Sequence, residues 1–385
     1  MIAEPFPRKI AVLTTGRQDW GILRSTCQLL LGSPDFTLQL LVGGMHCSTR
    51  HGQTERLLQQ EGFTAAARLP FVPDAGEASA SVQAAEALRL TGEALAHLRP
   101  EAFLLVGDRF ENAAAAVAAT VHRLPIIHLH GGEETEGAFD NALRHAITKM
   151  SHLHLVSHPL HAQRVISMGE DPATVHIVGA PGLDNVHRRD LPDRAQLESH
   201  LGMRLEPPVV LVTLHPATLG GDPAQEAEAL AGAMDAVEAT YVITLPNEDP
   251  GNGAIRERLK AAATAPRRTA VDALGEQRYW GMLKIADAML GNTSSGLIEA
   301  PAAGLPAVNI GDRQKGRVRG ENVLDTPADP DALAAALRQA LGPKFREQCR
   351  ASRGPFGDGN SAPRILKILR EWTPPDPPVK RMRSE

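Results

Sequence analysis

Residues 102–130 read AFLLVGDRFENAAAAVAATVHRLPIIHLH. The run opens on an apolar segment, Ala102–Val106, and turns through the polar GDRFE of Gly107–Glu111. It continues as an alanine-rich helical stretch, Ala113–His122, and returns to PIIHLH at Pro125–His130. Strands that are apolar throughout suit a sheet buried on both faces, and a strand–helix–strand order places the strands parallel.

The same alternation extends in both directions. KIAVLT (Lys9–Thr14) reads as a first strand, followed by the polar turn TGRQDWG and a helix from about Ile22 to Leu31. Phe36–Val42 reads as a strand, Ser79–Leu98 as a long helix and Val175–Val178 as a further strand. A Gly/Pro-rich break, GAPGLDN, then interrupts the pattern near Ala180–Asn185. Beyond it the cycle restarts with strand candidates Val209–Leu214, Tyr241–Leu245, Thr269–Val271, Ala288–Leu290 and Ala307–Ile310. Two such sets predict an α/β protein of two Rossmann-like doubly wound domains facing a cleft. The expected divisions are 1–182, 183–360, a closing helix at 361–372 packing back on the first domain, and a flexible tail at 373–385 with four prolines.

A chain of 385 residues exceeds what one core usually serves, which agrees with two domains. Forty basic against forty-five acidic residues give a formal charge of −5, so no global field gathers nucleic acid or an anionic membrane surface. No apolar run approaches the ~20 residues of a membrane span, and the start MIAEPFPRK lacks the apolar core of a signal peptide. Three scattered cysteines suggest neither a disulfide framework nor a zinc site, and a reducing cytoplasm is the expected compartment.

Chemistry concentrates where strands end. GDRFE and HGGEETEGAFDNALRH (His130–His145) put Asp108, Glu111, Glu133, Glu134, Glu136 and Asp140 near one strand-end rim. A single acid there is an ordinary helix cap. Several on consecutive strand ends, in differing environments, divide into proton acceptor and donor. In the second set, GNTSSGLIEAP opens a helix at Thr293-Ser294-Ser295-Gly296, a start suited to phosphate, with Glu299 one turn on for a ribose diol. Arg313, Lys315, Arg317 and Arg319 follow beside it, a run whose usual reading is a solvated face but which here adjoins a site suited to diphosphate, and His215 stands at the tip of VVLVTLHP, where an imidazole can serve leaving-group chemistry. Eight of fifteen histidines fall between His122 and His161, and His128–His130 and His152–His154 form strand-face pairs. No HExxH or Cys/His ligand set accompanies them, so no catalytic metal and no cofactor are expected.

These segments, TGRQDWG, GGMH, GDRFE, HLHGGEETEGAFDNALRHAITKMSHLH, VGAPGLDN, LHP, PNEDPGN, GNTSSGLIEAP and NIGDRQKGRVRGENV, resemble the hydrolysing UDP-N-acetylglucosamine 2-epimerases of sialic and legionaminic acid biosynthesis. They run in that family's order from about residue 9 to 325. The resemblance implies two domains of the glycosyltransferase-B type, with the nucleotide on the second and the sugar in the cleft. It implies metal-independent loss of the nucleoside diphosphate from the anomeric carbon as a base takes the carbon-2 proton, then hydration of the glycal to the free 2-epimer.

By matching positions, Asp108 and Asp140 fall on catalytic carboxylates, and the second acid-base group is His130 or Glu133. Arg17, Arg109, His215, Ser294, Ser295, Glu299 and Arg313 match nucleotide and diphosphate contacts, and Asn247 and Asp249 match a second-domain binding loop. A nucleotide sugar is the implied partner, UDP favoured over GDP, and a homodimer or homotetramer the implied assembly. The TEGAFDN form points toward 2,4-diacetamido-2,4,6-trideoxy sugars. The alternatives are a non-hydrolysing 2-epimerase, whose HVEAGLRT stretch is replaced here by HLHGGEETEG, a retaining glycosyltransferase of the same architecture, and a non-catalytic nucleotide-sugar-binding regulator.

Overall fold

The computed structural model describes residues 7–74, 78–134, 140–216, 222–246, 251–352 and 354–381. The described residues divide into two compact units, the first built on residues up to Glu133, Asp140–Asp184 and Asn360 onward, the second on Asn185–Gly359.

In the first unit, strands β1 (Arg8–Thr14), β2 (Phe36–Gly43), β3 (Ala65–Leu69), β4 (Ala102–Val106), β5 (Ile126–Leu129), β6 (Leu153–Val156) and β7 (Val175–Ile177) alternate with helices. These are α1 (Arg17–Leu31), α2 (Glu55–Gln60), α3 (Ala80–Leu98), α4 (Phe110–Val121), α5 (Asp140–Met150) and α6 (Pro159–Ser167). The strands are parallel in the order β3-β2-β1-β4-β5-β6-β7. Trp20, Leu23, Cys27 and Leu30 of α1 fill one face of this sheet, and Ala87, Leu95, Ala115, Ala116 and Ala119 of α3 and α4 fill the other. The alanines bring α4 close to the strands, and each large core side chain contributes roughly 1.5–3 kcal/mol of burial.

The second unit repeats the plan. It contains α7 (Arg194–Leu201), β8 (Val209–Thr213), α8 (Pro223–Ala236), β9 (Thr240–Thr244), α9 (Asn252–Ala262), β10 (Arg268–Val271) and α10 (Glu276–Ile285). There follow β11 (Ala288–Gly291), α11 (Ser295–Ala302), β12 (Ala307–Ile310), β13 (Val323–Thr326), α12 (Pro330–Leu341) and α13 (Pro343–Ala351). Its six strands are parallel in the order β10-β9-β8-β11-β12-β13.

Helix α14 (Ser361–Glu371) then returns to the first unit, burying Ile365 and Leu369 beside α1. Its first amides, Ser361 and Ala362, donate to the two oxygens of Asp184 at 2.8 and 2.7 Å. Arg8 of β1 donates to the Leu369 and Trp372 carbonyls at 2.7 and 2.6 Å, capping the other end. In the segment that the sequence marks as a loose tail, Lys380 donates to the Ser151 carbonyl and to Glu170.

Several boundaries differ from the sequence expectation for identifiable reasons. Helix α1 begins at Arg17, inside the expected turn, because the Asp19 carboxylate reaches back to the Thr15 amide (2.9 Å) and hydroxyl (2.6 Å). Helix α4 takes in part of GDRFE, since Asn112 in its first turn donates to the Val106 carbonyl at 2.9 Å and closes the strand–helix turn. Strand β5 ends at Leu129, and His130 leaves it with φ +63°. Strands β3 and β13 were not anticipated: both are edge strands, half-exposed along their length.

Candidate active site

Each sheet has one point where its strand order reverses, between β1 and β4 and between β8 and β11. In open parallel sheets, ligands bind beyond the carboxyl ends of the strands at that point. The segments leaving these four strands, with the neighbouring β5 loop and α5, carry most of the residues singled out from the sequence.

In the first unit, Asp108 and Arg109 follow β4, His130 and Glu133 follow β5, and Asp140 opens α5. They are organised by a residue that the sequence reading passed over. Arg144, whose side chain is 3% exposed, is ion-paired with Asp108 and lies 3.6 Å from Glu133 Oε2. The other Glu133 oxygen accepts from His130 Nδ1 at 2.6 Å and from the Ser157 hydroxyl at 2.8 Å. Ser157 is in turn 2.9 Å from His161 Nδ1, and burial, chief among the causes, holds His161 near pKa 4 and so neutral. Gly132 makes this loop possible: with φ +75°, a Cβ there would stand 2.4 Å from the His161 carbonyl oxygen. The one signal its position offered is its place one helical turn past Asp140, on the same face of α5.

A second acidic group lies beyond β1. Asp19 is buried and accepts both Thr15 bonds, and the Thr15 hydroxyl also lies 3.2 Å from Glu111 Oε1. Burial, together with the Glu111 charge, overcomes the Thr15 hydrogen bonds and lifts Asp19 to about 6. Arg109 caps α4 and donates to Glu111 at 2.6 Å. Burial works against its charge, yet Glu111, Asp19 and Asp140 together raise its pKa above the ordinary value. Arg17, at the start of α1, is exposed.

In the second unit, His215 follows β8 and Asn292 follows β11. The His215 amide donates to Asn292 Oδ1, and Asn292 Nδ2 donates to the His215 carbonyl, both at 2.8 Å. Gly291 permits this crossing, because a Cβ there would lie 1.9 Å from the Thr213 carbonyl oxygen at φ +144°. Arg313 joins the same place through the Asn292 carbonyl (3.1 Å) and the Pro216 carbonyl (3.3 Å). Burial and then the Arg313 charge push His215 down to about 4, so its ring is a neutral hydrogen-bonding group.

Ser294 caps α11 and Ser295 begins it, with the Ser295 hydroxyl accepting from Tyr279 at 2.6 Å. Glu299 follows within the helix, close enough for its charge to bear on Tyr279. Asn247 and Asp249 lie outside the described residues, as does Glu136.

One expectation is corrected by this geometry. The four cations after β12 do not line α11 together: Arg319 turns to Asp325 and the Gln314 carbonyl, and Lys315 is exposed. In the histidine pairs each ring is engaged separately. His128 meets the Gly107 carbonyl at 2.8 Å, His154 meets Glu170 at 3.0 Å, and His152 accepts from the Ile126 amide at 3.2 Å.

The sequence profile of UDP-N-acetylglucosamine 2-epimerase matches residues 29–370, nearly the whole chain. The chain belongs to that family. Among its relatives, a Legionella pneumophila protein named UDP-N,N'-diacetylbacillosamine 2-epimerase (hydrolyzing) is 34% identical, with 94% of this chain and 96% of that one covered. A Campylobacter jejuni protein named GDP/UDP-N,N'-diacetylbacillosamine 2-epimerase (hydrolyzing) is 33% identical over 83% of this chain and 84% of its own length. Escherichia coli polysialic acid biosynthesis protein P7 is 31% identical over 95% and 94%.

The UDP-GlcNAc 2-epimerase of Neisseria meningitidis, solved with UDP-GlcNAc, superposes with a TM-score of 0.81 at 15% identity, covering 94% of this chain and all of that one. At that identity the likeness establishes the epimerase fold, the glycosyltransferase-B-like pairing of two parallel-sheet α/β domains. Among the described residues, no helix is long and apolar enough to cross a membrane.

Proposed function

We propose that this epimerase is hydrolysing: it releases a nucleoside diphosphate from a nucleotide sugar and delivers the free 2-epimer. The observation that carries the reading is the meeting of Asp108, Glu133 and His130 around the buried Arg144 beyond β4 and β5, with Asp140 on the same helix as Arg144. The proton at carbon 2 of a hexose is scarcely acidic. It becomes removable as the departing diphosphate leaves positive charge at the anomeric centre, so carboxylates must face the ring while cations and amides receive the leaving group.

The first unit supplies the acid-base groups Asp108, Asp140 and either His130 or Glu133. The second supplies the nucleotide site: Arg313 and His215 around Asn292, the α11 start at Ser294 and Ser295 for the diphosphate, and Glu299 for the ribose, together with Asn247 and Asp249. Arg17 and Arg109 add positive charge toward the diphosphate. Neutral His215 acts there as a hydrogen-bond partner and not as a cation.

The relatives named as hydrolysing enzymes favour water as the final acceptor over the non-hydrolysing alternative. The same two names support a UDP- or GDP-linked 2,4-diacetamido-2,4,6-trideoxyglucose as substrate, and relative P7 supports a place in nonulosonic acid synthesis. UDP is the favoured nucleotide, a homo-oligomer the favoured assembly, and the cytoplasm the favoured compartment, in keeping with three free buried cysteines.

Incubation with UDP- and GDP-linked candidates in heavy-oxygen, deuterated water tests the reading. The expected product is a free 2-epimer carrying oxygen-18 at carbon 1 and deuterium at carbon 2. Epimers still attached to nucleotide, or no release from any donor, overturn it.

A further inference from the structure

Glu133 and His130 are alternative candidates for the same proton transfer, and their surroundings distinguish them. Glu133 is 9% exposed, with one oxygen shared by His130 Nδ1 and Ser157 and the other facing the Arg144 guanidinium. A carboxylate whose anionic form is held by two hydrogen bonds and a buried cation is a poor proton acceptor. His130 is placed differently. Its Nδ1 is committed to Glu133, while Nε2 is buried with no hydrogen-bond partner among the described residues, and the residue sits at φ +63°, a backbone region that a non-glycine residue rarely occupies. An unpaired buried nitrogen and a strained backbone both cost stability, and both features gather at functional sites.

We propose, building on the hydrolysing-epimerase reading, that His130 Nε2 is the atom that exchanges the proton with substrate and that Glu133 is its positioning residue. The His130 Nδ1–H donates to Glu133, which fixes the tautomer and leaves the Nε2 lone pair bare. On accepting a proton the ring becomes an imidazolium whose charge faces the Glu133 carboxylate. It returns to neutral by giving that proton to water, while the incoming proton reaches carbon 2 on the opposite face from solvent or another acid of the site, so the centre inverts and the dyad is unchanged over a turnover. Ser157, with His161 behind it, and Arg144 keep Glu133 anionic and aimed. Among the described residues, His128 on β5 and His161 on α6 also bear electrostatically on His130, and both are held neutral by burial.

Ring nitrogen-15 spectra of the full chain, with the His130 signal assigned from His130→Gln, test the tautomer without any substrate. The expected state is a protonated Nδ1 and a bare Nε2, with Glu133→Ala, which removes the acceptor, abolishing that preference. A proton resident on Nε2 in the unaltered protein overturns the proposal.

In turnover, His130→Gln should lose about 10²–10⁴-fold in kcat with KM within threefold, and His130→Ala should recover rate with added imidazole. Glu133→Gln should lose kcat and flatten the pH profile without altering KM. A His130→Gln enzyme turning over within threefold of the unaltered one overturns the proposal. If the unaltered chain releases no nucleotide from any donor, the epimerase reading falls, while the spectra still decide the dyad.

Discussion

Asp108, at the end of β4, and Arg144, on the second turn of α5, form an ion pair across 36 residues of chain. Asp108 keeps a 24% exposed edge, whereas the guanidinium that holds it is buried, so the cation is reached only by groups built around it. Breaking a buried pair from one side strands a charge and costs more than the pair contributes.

Arg144→Met should therefore lower stability by about 3 kcal/mol in urea unfolding, since it leaves Asp108 and Glu133 without their shared cation. Arg144→Lys keeps the charge but not the fork that spans two carboxylates, and should fall between the two. Equal stability of all three proteins would contradict the clamp.

Asp19 gives a pH dependence with a definite sign. Its folded pKa, about 6, lies above the ordinary carboxylate value, so its contribution is complete at low pH and is lost as pH rises through about 6. Asp19→Asn, which can still accept from Thr15, should be more stable to urea than the unaltered protein by about 3 kcal/mol at pH 7.5. The gain should shrink toward pH 4.5. Parallel pH–stability curves for the two proteins would show that burial does not penalise this charge.

Gly291→Ala places a methyl group against the Thr213 carbonyl in a backbone region closed to side chains, and should cost at least about 3 kcal/mol or prevent folding. Gly253→Ala is the contrasting control. It lies within α9 with open space around it, and should stabilise by about 0.5–1 kcal/mol. Thermal unfolding of both variants separates a required glycine from a replaceable one.

Tyr279→Phe removes the hydroxyl that orients Ser295. If Ser295 receives the diphosphate, UDP affinity by calorimetry should weaken about fivefold, the equivalent of one hydrogen bond of about 1 kcal/mol. Unchanged affinity would move the diphosphate away from the start of α11.

The parallel α/β plan was readable because its inner strands are continuous apolar runs, such as Ala102–Val106 and Val209–Thr213, that end on glycine or polar turns. Edge strands β3 and β13 were hidden because half of each faces water and little patterning survives there. In the candidate site, motif residues marked the strand ends correctly, but motifs do not report partners. Arg144 looked like any helical arginine, Tyr279 carried no local signal at all, and Ser157 reaches Glu133 only because β5 and β6 are neighbours. Basic spacing misled for the opposite reason, since Arg319 spends its charge on Asp325.

Helix α14 completes a unit whose other elements lie before Asn185, with Arg8, Asp35 and Asp184 all waiting for partners from the last stretch of chain. During synthesis, the roughly 175 intervening residues take on the order of 10–35 s to emerge at about 5–20 residues per second. Through that interval the α1 face of the nascent amino-terminal sheet is left uncovered on the ribosome. The second unit has the opportunity to fold first, and a premature stop anywhere before Ser361 would leave the opening half of the protein unsealed.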